Sequence, residues 1–166
     1  MSVLHKKSNL PTIHDFNLDI DLDLLRSSCN ELTEKFVDVR TANPMLCMNH
    51  EDLVKDVYDN FEQINLTTPS EILPHTASIK DRLKRREEHL YNVPTKEYTG
   101  SYFEEIANQF ECDKMRIRIT KLDGNTDVPM HIDYDPTYAT RVVIPVYTNE
   151  KVINGYITIK IKEKKF

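Results

Sequence analysis

The apolar residues change their spacing near residue 112, from helical periodicity before it to two-residue alternation after it. A chain divided in this way is neither all-helical nor all-β. It predicts an α+β fold with the helices first, a mainly helical part over 1–111 and a β part over 112–166. With 166 residues and 39% hydrophobic content the chain can bury one core of its own, so these parts are expected to share a single domain.

The first helix is predicted after Asp21, where Leu22, Leu25, Cys29, Leu32 and Phe36 gather on one face and Arg26, Asn30 and Lys35 on the other. A second is predicted after Asn49, whose side chain can accept free amide hydrogens of a first turn, running through Leu53, Val54, Val57, Tyr58, Phe61 and Ile64. Pro69 and Pro74 interrupt helical hydrogen bonding and mark a loop. Ser78 opens SIKDRLKRREEHLY, whose mixed charges at helical spacing suggest a largely solvated helix. Its basic cluster Lys84, Arg85 and Arg86 is followed at once by Glu87 and Glu88, the pattern of a surface rather than of an anion site. Ser101 and Glu104 have capping-box spacing, with Phe103, Ile106, Ala107 and Phe110 as the buried stripe behind them.

MRIRITKL (115–122) alternates Met115, Ile117 and Ile119 with Arg116, Arg118 and Thr120, the pattern of a half-buried strand. Asp123-Gly124 closes it in a turn, since glycine takes positive φ without a side-chain clash. Further strands are predicted around 128–133, 140–148 and 156–162, with a turn at Asn154-Gly155. The three glycines all fall at element boundaries, so a glycine-rich phosphate loop is excluded.

A net charge of −5 gives no broad basic field, which argues against nucleic acid and anionic membranes as partners. No run is long and apolar enough to cross a bilayer, and two lysines near the N-terminus are not followed by an apolar stretch. Cys29, Cys47 and Cys112 form neither a CxxC pair nor a secreted disulfide pattern. Together these predict a cytoplasmic protein with reduced thiols.

Chemistry concentrates in HIDYDPTYATRVVIPVYTN (131–149). Residues two apart on an extended backbone project from the same face, so the His131 imidazole and the Asp133 carboxylate can converge on one divalent cation. Two histidines and a carboxylate around an open side are typical of non-haem iron(II) oxygenases. His-Xaa-Asp alone is a weak signal, and an ordinary polar strand end is the competing reading.

The ordered series over 115–149 is more specific. An arginine-containing strand, a glycine turn, Val128-Pro129-Met130-His131-Ile132-Asp133 and an arginine-led strand ending in Ile144-Pro145-Val146 resemble the aspartyl/asparaginyl β-hydroxylase and proline hydroxylase branch of the iron(II)/2-oxoglutarate oxygenases. The resemblance implies N-terminal helices packed on a double-stranded β-helix, a jelly roll. It implies His131 and Asp133 as metal ligands and catalytic residues, Fe(II) and 2-oxoglutarate as cofactors, and Arg141 as a ligand of the 2-oxoglutarate carboxylate, which a planar guanidinium suits. The competing reading of Arg141 is a surface ion pair with Asp133 or Asp135. Arg116, Arg118, Tyr134 and Tyr138 are the candidates to face a substrate, an amino acid or peptidyl side chain; packing at the sheet surface is the alternative for each.

The family pattern also requires a second histidine on a later strand, whereas His131 is the last histidine of this sequence. The strands predicted after Asp133 fall short of the roughly eight of a jelly roll. The expectation is therefore a partial or split hydroxylase completed by a complementing chain. Two alternatives stand beside it. One is an inactive jelly-roll binding domain that forms a homo-oligomer through the open sheet edge at YITIKIK. The other is a small interaction domain with a helical layer over a sheet.

Overall fold

The computed structural model describes residues 18–43, 58–74, 76, 87–124, 126 and 142–148. The chain divides into two compact units, 1–131 and 132–166. All the helices and strands below belong to the first, a mixture of helix and small antiparallel sheets.

Helix α1 spans Leu22–Glu31. It starts where the sequence predicts because the Asp21 carboxylate accepts from the amides of Asp23 and Leu24, both at 3.0 Å, satisfying donors that have no intrahelical partner. Leu25 and Cys29, one turn apart, are its buried residues. The helix stops short of the predicted stripe. The Thr33 hydroxyl donates to the Asn30 carbonyl at 2.8 Å, and the chain tightens into a 3-10 turn, Thr33–Lys35, leaving Leu32 and Phe36 half-buried.

Strand β1 (Val37–Asp38) runs into the short helix α2 (Val39–Ala42), capped by the Asp38 carboxylate on the Arg40 amide at 2.7 Å. Strand β2 (Phe61–Asn65) lies between β1 and β5 (Arg118–Leu122), antiparallel to both, and gives a three-stranded sheet of order β1-β2-β5. This corrects the predicted second helix. Residues 58–59 are helical, but the chain extends from Phe61, and each residue of Phe61–Asn65 pairs with one of Arg118–Leu122. Phe61 and Ile64 fit a helical stripe by spacing; the ladder to a partner more than 50 positions away overrides it. The earlier part of that prediction, Asn49–Val57, lies outside the described residues.

A second sheet pairs β3 (Thr67–Thr68) with β4 (Val93–Pro94). Pro69 and Pro74 lie in irregular chain, as predicted. Helix α3 (Glu87–Leu90) falls at the end of the predicted solvated helix, and there the expectation fails: Glu88 and the following Tyr91 are buried, with Tyr91 packed on Leu73 and Leu90. Ser78–Arg86, including the basic cluster, lies outside the described residues.

Helix α4 (Tyr102–Ala107) packs on α1 and buries Phe103 and Ile106. The Ser101 hydroxyl accepts from the Glu104 amide at 3.4 Å, half of the predicted capping box. The other half shifts by one residue. Glu104 accepts from the Gly100 amide at 2.6 Å, and the Ser101 amide goes to the Tyr98 carbonyl at 3.1 Å. Gly100 has φ 72°, a conformation glycine takes without a Cβ clash. The N-terminal approach to α1 is tied down across the chain: the Gln109 amide group donates to the Asp19 carbonyl and accepts from its amide, each at 2.7 Å.

The predicted 115–122 strand starts three residues late because Arg116 has φ 51°. Asp123 then donates to the Asn60 carbonyl at 3.0 Å and Gly124 turns, so the predicted end of the strand is where the structure puts it. In the second unit, 142–148 forms no strand, against the expected strand at 140–148, and Val142, Val143 and Tyr147 are exposed. Pro145 has no amide hydrogen to give a ladder. The predicted strands at 128–133 and 156–162 and the turn at 154–155 lie outside the described residues. Among the described residues the sheets hold three and two strands and form no closed barrel.

Candidate functional site

His131, Asp133, Tyr134, Tyr138 and Arg141 lie outside the described residues. Of the expected site, the structure places Arg116 and Arg118, and it sends them into different surroundings.

Arg118 begins β5 opposite Asn65. Directly opposed residues of an antiparallel pair share a face, as do residues two apart along a strand, so Arg118, Asn65 and Gln63 lie together. The Arg118 guanidinium donates to Gln63 Oε1 at 3.3 Å; Gln63 Nε2 donates to Asn65 Oδ1 at 2.5 Å; Asn65 Nδ2 donates to the Ala42 carbonyl at 2.5 Å. This row of side chains links β5 through β2 to the end of α2. Gln63 is 1% exposed, so its amide depends on these partners in place of water.

Arg116 turns elsewhere. Its guanidinium forms an ion pair with Glu88 and sits over the Tyr91 ring, 4.7 Å from the centroid. Its amide donates to the Tyr91 carbonyl at 2.8 Å. The Tyr91 hydroxyl in turn donates to Asn43 Oδ1 at 2.5 Å. Thr67 holds the residue between the two arginines: its hydroxyl accepts from the Ile117 amide at 2.8 Å, and the Leu66 and Thr67 amides donate to the Ile117 carbonyl at 2.9 and 3.1 Å.

Asn43, Gln63, Thr67 and Glu88, buried polar residues of the described part, thus all belong to these two neighbouring networks. Sequence reasoning missed them. Asn43 and Gln63 look like ordinary surface residues, and Glu88 sits in a charge run that argues for solvent. The local sequence gives no signal for Gln63, which stands between Glu62 and Ile64 in a stretch whose apolar spacing suits a helix.

The remaining charges work at the periphery. Arg40 joins Asp38 at 3.1 Å and also Asp59, fixing α2 against residues 58–59. Lys121 faces Glu62 across the ladder at 2.5 Å. Among the described residues no group of three or more histidine, cysteine, aspartate or glutamate side chains converges as a metal site. No helix among them is long and apolar enough to cross a membrane.

The described part defines an α+β protein whose small antiparallel sheets enclose buried polar networks. Comparison with protein families, with curated proteins and with solved structures found no match to this chain.

Proposed function

We propose that this chain is an iron(II)/2-oxoglutarate-dependent hydroxylase-like protein acting on an amino acid or peptidyl side chain. The observation that carries the reading is the order of features over 115–149: an arginine-bearing strand, a glycine turn, His131-Ile132-Asp133, then Arg141 and Ile144-Pro145-Val146. It is supported by an α+β layout in which helix α4 precedes β5 and β5 ends in a turn at Asp123-Gly124.

The donor chemistry fits the metal as far as two ligands. An imidazole nitrogen from His131 and a carboxylate oxygen from Asp133 suit iron(II), and Arg141 suits the carboxylate of 2-oxoglutarate. The second histidine of the family pattern would come from a complementing segment. When bound, the metal and 2-oxoglutarate would activate dioxygen, the oxidant, one oxygen atom going to the substrate C–H bond and the other to succinate as 2-oxoglutarate loses carbon dioxide. The protein's share is to hold them, to orient the substrate with Tyr134 and Tyr138, and to keep water away. A double-stranded β-helix and cytoplasmic location belong to the same proposal.

Anaerobic titration of the full chain with iron(II) and 2-oxoglutarate tests this reading. A weak visible charge-transfer band is expected, lost in His131→Ala and in Asp133→Ala and needing more 2-oxoglutarate in Arg141→Ala. A folded protein that shows no band, with or without a histidine-bearing complementing peptide, overturns it.

A further inference from the structure

Arg116 is the one non-glycine residue with positive φ among the described residues, at 51°. An L-residue with a long side chain rarely takes this conformation, and glycine would take it freely. An arginine held there points to the side chain as what keeps it. Two ties run from that side chain to one short segment, the ion pair to Glu88 and the ring of Tyr91 beneath the guanidinium, and the Arg116 backbone amide adds a third by donating to the Tyr91 carbonyl. The ion pair is well enclosed, with the Arg116 and Glu88 side chains 13% and 9% exposed, and Tyr91 is 1% exposed. Two residues on, Arg118 starts the β5 ladder.

We propose that Arg116 is a positioning residue, a latch that couples docking of the 87–91 segment to formation of β5. On a regular extended backbone Arg116 and Arg118 would point to one face. The left-handed turn separates them, sending Arg116 to Glu88 and Tyr91 and leaving Arg118 to Gln63. Residues 87–91 and 118–122 then open and close as one cooperative unit, while α1, which packs on α4 and the 3-10 turn, opens separately. The inference stands apart from the hydroxylase reading and needs no cofactor.

Residue-resolved amide hydrogen exchange on the full chain tests it. Glu88→Gln and Arg116→Gly are each expected to speed exchange at Tyr91, Ile119 and Lys121 together by roughly a hundredfold, because removing one partner of an enclosed ion pair leaves the other uncompensated. Amides of α1 such as Leu25 and Cys29 stay as in the parent. Tyr91→Phe keeps the ring under the guanidinium but loses the bond to Asn43, so it is expected to speed exchange at these amides less than Glu88→Gln does. Where the glycine variant does not fold, Arg116→Lys takes its place, with a smaller rise of about tenfold at the same amides. Unchanged exchange in β5, a uniform rise that includes α1, or better protection in Arg116→Gly than in the parent would overturn the latch.

Discussion

The Lys35 ammonium donates to the Glu97 carboxylate at 2.6 Å, joining residues 62 apart in the sequence and tying the 3-10 turn after α1 to the turn before α4. This bond, first among the causes, holds the Glu97 carboxyl below its ordinary value of 4.5. A depressed carboxyl pKa contributes stability that is present above the unfolded value and lost as pH falls through the folded one. The denaturant midpoint should therefore fall more steeply below about pH 4.5 in the parent than in Lys35→Met. Lys121 gives the opposite limb. Glu62 raises its pKa above 10.5, so this contribution is complete below that value and disappears as pH rises beyond it. Glu62→Gln should flatten the alkaline limb; identical alkaline limbs in variant and parent would refute the assignment.

The caps of α1 and α4 are separable local contributions. Asp21→Ala removes the acceptor of two amides and should cost about 1 kcal/mol in urea unfolding, with Asp21→Asn recovering most of it. Ser101→Ala should cost less, since its bond to the Glu104 amide is long at 3.4 Å and the Glu104 contact to Gly100 remains.

Gln63 is expected to be among the most sensitive positions of the described part. Gln63→Leu keeps the volume but strands the groups of Asn65 and Arg118 that it serves, at a cost of about 2 kcal/mol. The neighbouring Glu62→Ala, on the exposed end of the same strand, should change stability by less than about 1 kcal/mol. Chemical denaturation of the two variants side by side checks the contrast.

The described cysteines should differ sharply in reactivity. Cys29 is buried, and burial raises its thiol pKa above 9.0, whereas Cys112 is exposed. In a Cys47→Ser background, a thiol reagent at neutral pH should label one equivalent quickly, at Cys112, and the second only at the rate of opening of α1. Two equally fast equivalents would mean that α1 does not protect Cys29.

Much of the local structure was legible in the residues. Asp21 and Ser101 announce helix starts because a short polar side chain meets amides two or three positions on, and Asp123-Gly124 announces a turn because the necessary freedom lies in one residue. Phe61–Asn65 was not legible as a strand. Its apolar spacing suits a helix, and its hydrogen bonds are made by residues 118–122. For the same reason the expected 115–122 strand was right in kind and late in its start: the turn at Arg116 is imposed by Glu88 and Tyr91, which no window around Arg116 contains.

The sequence by itself determined the mixed helical and strand character, the capped starts of α1 and α4 and the turn after β5. All of these rest on interactions within a few positions or on side-chain chemistry alone. Only the tertiary structure decided that Gln63 and Glu88 are inside, that Phe61–Asn65 is extended, and that Arg116 and Arg118 part company. Burial and ladder pairing are set by whichever distant segment supplies the missing hydrogen bond or ring, and that choice is made when the whole unit folds.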